Sequence, residues 1–317
     1  MKNSHFLLAL VSAACLTFTG CKKNNEESPA PATTINDFFE KNDVPKQSFT
    51  VNLDHTNATI SGEQGTVITF PKSAFVTKNG SPVTGDISVT VKEIYTKSDM
   101  ILSDRATTSD GELLLSGGEI YIGAFSNGDT LRLASGTNIL IELPASSVDT
   151  EMQLFAGSES NGQFNWMPVN TTSSSVPVTS TNWVNDSSAT LYSSQSSYIF
   201  STSKLGWINC DRFYSFPVKT KISLSYTNGG TIDNTAAYIV FKNLNSIARF
   251  YEHSTNGVFR SAQTPVGEDI MIVVISTKDG KQYFATKETT ITEDLSLTLE
   301  LTEASDESIK TALESLN

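Results

Sequence analysis

The sequence predicts an all-β fold: two antiparallel β-sandwich domains behind a disordered N-terminal tether, with a short C-terminal helix. Three observations carry this. Asn79-Gly80, Asp110-Gly111, Asn127-Gly128, Asn161-Gly162, Asn228-Gly229, Asn256-Gly257 and Asp279-Gly280 punctuate the chain with pairs that tolerate the positive φ angles of tight hairpins. Between them apolar residues alternate with period two: Ile87, Val89 and Val91; Ile120, Ile122 and Ala124; Ile222, Leu224 and Tyr226; Leu295, Leu297, Leu299 and Leu301. Such alternation puts each set on one face of a half-buried strand. Helical spacing occurs only near the two ends.

Taken in order, "MKNSHFLLALVSAACLTFTGC" begins with Lys2, runs apolar from residue 6 to 18 and reaches small residues before Cys21. This is the pattern of a secretory signal, too short to span a bilayer, and residues 1–20 are expected to be removed. The ending "FTGC" resembles the lipobox of bacterial lipoproteins, which implies that Cys21 receives a diacylglycerol thioether and becomes the new N-terminus. Cleavage before Cys15 instead would leave residues 6–11 as the apolar region, shorter than the roughly 7 residues such a region needs. Two or more acyl chains hold a protein firmly, so Cys21 is the expected membrane anchor. "KKNNEESPAPATT" offers nothing to bury and reads as a tether, and "TINDFFEKN" as a turn or two of helix, completing residues 21–45. Lys22 is not the aspartate that retains some lipoproteins in the inner membrane. Outer-membrane placement, on the periplasmic or cell-surface side, is therefore expected, and Glu26 and Glu27 resemble the acidic export signal of Bacteroidota surface lipoproteins.

Residues 46–170 are expected to form the first sandwich, with "IYIGAFSNGDTLRLA" its clearest hairpin. The pattern lapses at 171–196 into a Ser/Thr-rich stretch, read as an interdomain linker. Residues 197–317 form the second sandwich, opened by "KLGWINCDRFY" and containing the hairpin "IMIVVISTKDGKQYFATK". In "EASDESIKTALESL" Ile309, Ala312, Leu313 and Leu316 fall at helical spacing behind Ser305 and two acids suited to a helix N-terminus. "KLGWINCDRFY" reads as a core strand, because Trp207, Phe213 and Tyr214 surround Cys210 and a free cysteine behaves as a small buried hydrophobe.

"GTVITFPKSAFVTKNGSPVTGDISVTVKEIYTKSDMI", residues 65–101, resembles the opening of a ZU5-type β-sandwich: a glycine-led strand, a proline, a small-aromatic pair and a long strand. With "TTSDGELLLSGGEIYIGA" and "GWINCDRFY" the arrangement is similar to a group of Bacteroidota lipoproteins. "TPVGEDIMIVVISTKDGKQYFATKETTIT" resembles the transthyretin-like sandwiches appended to exported proteins. These resemblances imply a fold rather than a chemistry. Some ZU5-containing proteins cut themselves at His-Phe-Ser, but Glu252-His253-Ser254 lacks the phenylalanine and self-cleavage is not expected here.

The net charge of −12, from 22 basic and 34 acidic side chains, becomes one unit more negative once Lys2 leaves with the leader. Such a surface repels phosphate backbones, so nucleic acid is not an expected partner. Only Cys210 remains as a free thiol, which rules out an intrachain disulfide. A Cys-His hydrolase would have to pair Cys210 with His55 or His253, and no Gly-x-Ser-x-Gly elbow, His-x-x-x-His pair or phosphate-cradling loop is present. "TTSDGE" and "SNGDT" carry oxygen ligands suited to calcium but read as ordinary turns, and no metal or cofactor is expected. Trp166, Trp183 and Tyr192 flank the Ser/Thr-rich stretch and are the candidates for stacking on a sugar ring. The expected function is non-catalytic: an outer-membrane-anchored lipoprotein that binds or scaffolds in the cell envelope, held to the membrane through Cys21. A glycan-binding surface lipoprotein and an envelope hydrolase are the alternatives, and carboxylate pairs for the latter need no fixed spacing.

Overall fold

A computed structural model describes residues 32–160, 163–169, 171–174, 189–194, 196–253 and 257–317. The leader, Cys21 and the expected tether up to residue 31, as well as Trp183, lie outside the described residues, whereas residues 32–34 of the expected tether belong to the folded unit, with Ala32 buried and Thr34 at the cap of a helix. Residues 32–317 form one compact unit. It is all-β, with three short α-helices among the described residues, the last of them at the C-terminus.

The first half contributes β1 (Gln47–Asn52), β2 (Ala58–Ser61), β3 (Val67–Phe70), β4 (Asp86–Ile94), β5 (Glu112–Ser126), β6 (Ile139–Pro144), β7 (Gln153–Ser160) and β8 (Gln163–Pro168). There follow β9 (Thr171–Ser174), β10 (Ala189–Ser193), β11 (Ser197–Thr202) and β12 (Gly206–Phe213). They build two facing sheets. One runs β1-β4-β5-β12-β7-β8 from edge to edge and the other β9-β10-β11-β6-β3-β2. The inward residues of both, among them Ile68, Ile87, Val89, Val91, Ile120, Ile122, Ile141 and Phe200, share one core. The alternating triplets of β4 and β5 thus point inward as their pattern requires.

The expected linker at 171–196 is a misplacement. Its described ends are strands, and β11 and β12 beyond it complete both sheets of the first pair, with β12 lying centrally between β5 and β7. The serines and threonines that mimic a linker suit the exposed face of an outer strand equally well. The boundary between the two sheet pairs therefore falls after Phe213.

The second pair is built from β13 (Ser223–Thr227), β14 (Thr235–Phe241), β15 (Ile247–Arg249), β16 (Glu252–His253), β17 (Phe259–Arg260), β18 (Asp269–Lys278), β19 (Lys281–Thr290), β20 (Ser296–Glu300) and β21 (Thr302–Ala304). Its sheets run β15-β14-β18-β19-β21 and β16-β17-β13-β20. Leu224, Ile239, Phe241, Ile272, Val274, Leu299 and Leu301 fill the space between them. The β18–β19 hairpin turns at Asp279-Gly280, both at positive φ (53° and 73°), so the dipeptide supplies the left-handed pair that a two-residue turn demands. Pairing is not antiparallel throughout: β9 runs parallel to β10, and β13 to β20.

Every residue of β14 is buried, because a third layer covers the other face of its sheet. That layer is α1 (Ile35–Asn42), α2 (Lys97–Leu102) and α3 (Asp306–Glu314). Phe38, Phe39, Met100, Ile101, Ile309 and Leu313 from the helices pack on Ala236, Tyr238, Val240, Val273 and Ile275 from the sheet. Lys41 of α1 pairs with Asp306 of α3 at 2.8 Å, and Asn317 exchanges hydrogen bonds with the Ser98 amide (3.0 Å) and hydroxyl (2.9 Å) of α2. Ile94, at the end of β4, and Ala106 belong to the same apolar cluster, which joins the two halves of the unit.

Candidate functional site

In β12 the side chains divide by alternation. Ile208 and Cys210 enter the core of the first pair, whereas Trp207, Asn209 and Asp211 face outward toward the helical side. Cys210 is 0% exposed, and burial, followed by the nearby Asp211 charge, pushes its thiol well above the usual range. It is the core residue that the sequence predicts, although its strand closes the first sheet pair and does not open the second. His55 is exposed and so cannot share a hydrogen bond with a sealed thiol. His253 lies in β16, where only its backbone is described.

Opposite β12, strand β5 carries Ser116-Gly117-Gly118-Glu119. Asn209 faces Glu119 and Asp211 faces Ser116, so β5 spends one more residue than β12 over this interval and forms a bulge. The glycines are required by close approach. A Cβ on Gly117 would stand 2.8 Å from the Cys210 carbonyl oxygen, and one on Gly118, at φ +134°, 2.3 Å from the Tyr95 ring. The bulge brings Ser116, Glu119, Asn209 and Asp211 onto one face, and both acids are 0% exposed.

Their hydrogen bonding is incomplete. Asn209 Nδ2 donates to Asp211 Oδ2 at 2.6 Å, and the Ser116 hydroxyl donates to Asn209 Oδ1 at 3.4 Å and accepts from the Gly118 amide at 3.1 Å. Among the described residues both oxygens of Glu119, Oδ1 of Asp211 and Nε of the nearby Arg105 have no partner. Burial, and then the charge of Asp211, raise the Glu119 carboxyl well above the carboxylate range against the opposing pull of Arg105. Burial likewise raises Asp211, despite hydrogen bonds that favour its ionised form. Glu93, equally buried on β4, is the contrast. Burial acts to raise it too, but it accepts from the Gln64 amide (2.9 Å), the Thr66 amide (2.9 Å) and Gln47 Nε2 (2.7 Å), and together such bonds hold it below the usual value.

Beside the acids lies an aromatic shelf. Arg105 stands over the rings of Phe164 (4.2 Å) and Trp207 (4.7 Å), and Lys92, paired with Asp43, lies 5.4 Å from Trp207. Trp166 packs edge-on against Phe164 at 4.8 Å and donates its indole N–H to the Ala106 carbonyl at 3.1 Å. It is 0% exposed and offers no face to a sugar, so its candidacy for glycan stacking fails: a strand tryptophan with its N–H satisfied is core. Tyr192 lies on β10 opposite Ile199, with its side chain outside the described residues, and Trp183 lies outside them altogether.

A groove of about 740 Å³ opens along the boundary between the sheet pairs, and Ser116 and Gly117 reach its wall. Its other polar lining includes Gln64, Ser146, Ser147, Asn243 and Asn245. Asp149, its acidic side chain, is engaged by Arg212. The groove therefore presents amides and hydroxyls with little free charge. Among the described residues no three His, Cys, Asp or Glu side chains converge as metal ligands, and no helix is long and apolar enough to cross a membrane. "TTSDGE" and "SNGDT" form turns, at Asp110-Gly111 and Asn127-Gly128.

Sequence reasoning missed Glu119, Arg105 and the groove. A signal for the first was present, since "SGGEIYIGA" sets an acid behind two glycines at the start of an alternating apolar run. No model of a known protein family matches the chain. No curated protein matches it either.

Proposed function

We propose that this protein is a lipid-anchored component of the cell envelope, tethered through Cys21 in the outer membrane, whose folded unit serves as a non-catalytic binding or scaffolding module. The observation that carries the reading is "FTGC" at the end of an apolar leader, a short polar stretch ahead of the unit that begins at Ala32. The folded part supports a binding role through the groove, where uncharged donors and acceptors line a concave wall. A sealed Cys210 offers no nucleophile, and Glu119 and Asp211, both without exposure, do not line the groove. The hydrolase reading gains nothing from them.

Glycan binding is kept as the second reading because of the groove's hydroxyls and amides, no longer because of Trp166. The anchor is tested by Cys21→Ala, which is expected to leave uncleaved precursor or soluble protein, whereas Cys15→Ala changes little. Intact mass and detergent partitioning read the outcome. A mature wild-type chain without lipid would end the proposal.

A further inference from the structure

The four residues of the β5 bulge form a sealed polar cluster whose charges do not balance as they stand. If both acids are ionised, the Arg105 guanidinium acts on Glu119 alone, and three carboxylate oxygens have no donor among the described residues. An uncompensated buried charge is costly enough that the group neutralises instead. One proton leaves the cluster with a single negative charge to set against Arg105, beside Glu119. Interacting acids of this kind titrate as a pair.

The other charged and titratable groups around the cluster are already committed. On β4, Lys92 is taken by Asp43. Behind Arg105, Asp104 pairs with Arg249 and accepts from the Tyr238 hydroxyl at 2.6 Å. Arg212, farther along β12, is held by Asp149. Tyr95 gives its hydroxyl to the Thr66 contact at 2.7 Å, and Cys210 faces the opposite side of the sheet. The covering loop at 243–246 brings Asn243, Asn245 and Ser246, none of which carries charge.

That loop closes over the bulge by a two-bond clamp. The Ser116 amide donates to the Asn245 carbonyl at 2.9 Å, and Asn245 Nδ2 donates to the Ser116 carbonyl at 2.9 Å. On its outer side the clamp borders the groove, which Ser116, Gly117 and Asn245 line. Ser116 thus belongs both to the clamp and to the cluster, at the wall where water could reach the acids, and a second buried carboxylate requires such solvation.

We propose that Glu119 and Asp211 hold a single proton between them at neutral pH, and that its loss as the pH is raised releases the Ser116–Asn245 clamp, making the boundary between the two sheet pairs a pH-sensitive latch. In the step one carboxylic O–H bond breaks and the proton passes to hydroxide or a buffer base. The second carboxylate is then solvated by water entering from the groove.

Two measurements on the folded chain test this. Infrared spectroscopy of the wild type at neutral pH is expected to show a protonated carboxyl band that disappears in Glu119→Gln. Absence of that band in the wild type overturns the proposal without reliance on any variant. Amide exchange in 113–120 and 243–248, corrected for intrinsic base catalysis, is expected to rise at least about tenfold between about pH 6 and about pH 9 in the wild type and to stay flat in Glu119→Gln. Asp211→Asn serves in its place if Glu119→Gln does not fold. Parallel profiles in wild type and variant overturn the latch.

Discussion

At the scale of single residues, the same chemistry takes opposite roles according to which face of a strand it occupies. Cys210 and Asp211 are neighbours in β12, yet one fills the core of the first sheet pair and the other enters the sealed polar cluster. The burial of Cys210 was legible from its being a free cysteine in a strand, but Trp207, Phe213 and Tyr214 pack in other clusters and do not surround it. That of Trp166 was not, because only the packed fold shows Phe164 and the Ala106 carbonyl enclosing the indole. Cys210 is accordingly expected to alkylate slowly in the native protein and rapidly after denaturation, followed by mass spectrometry. Cys210→Ser is expected to lower stability by about 1–3 kcal/mol in denaturant titrations, through burial of a hydroxyl without a ready partner.

At the scale of elements, local sequence explains most of what forms. Thr34 caps α1 by accepting from the Asp37 amide at 3.1 Å, and Asp37 returns the bond, accepting from the Thr34 amide (2.8 Å) and from the Thr33 amide (2.9 Å) and hydroxyl (2.7 Å). The Thr33 hydroxyl bond and the backbone donors lower the Asp37 carboxyl to about 2. A carboxyl depressed in the folded state stabilises it above the unfolded value near 4, and that contribution is lost as pH falls through about 2. Asp37→Asn is therefore expected to melt earlier than the wild type at pH 5, with the gap in Tm narrowing as the solution is acidified toward pH 2. A gap independent of pH would mean that the carboxylate charge contributes nothing to the cap. Ser305 caps α3 in the same manner, accepting from the Ser308 amide at 3.1 Å, as its place before two acids implies.

At the scale of the whole molecule, the order of strands in space departs from their order in the chain. β12 lies between β5 and β7 although a long Ser/Thr-rich stretch precedes β10, and the apolar cluster of the helical layer draws on residues from 32 to 313. Cutting the chain within 175–188 is thus expected not to release two independent domains. A specific protease site inserted there is expected to yield two fragments that co-elute on size exclusion and separate only in denaturant, because β10, β11 and β12 complete sheets begun by the N-terminal fragment. Separation under native conditions would mean that this strand order does not hold the halves together.

What the sequence determines by itself is set by short-range rules: the hairpin turns at Asp110-Gly111, Asn127-Gly128 and Asp279-Gly280, the inward faces of β4, β5, β13 and β20, the caps of α1 and α3, and the all-β class. Each depends on residues a few positions apart, whose conformational and burial preferences act within one element. Which strands lie side by side, and hence the boundary after Phe213 and the parallel pairs β9–β10 and β13–β20, is decided by long-range burial between segments of similar apolar pattern. The Glu119–Asp211 cluster belongs to this second kind. Its members come from distant parts of the chain, and Ser116 and Asn209, bonded within the same bulge, are 93 positions apart. Only the registered pairing of β5 with β12 brings them onto one face and away from water.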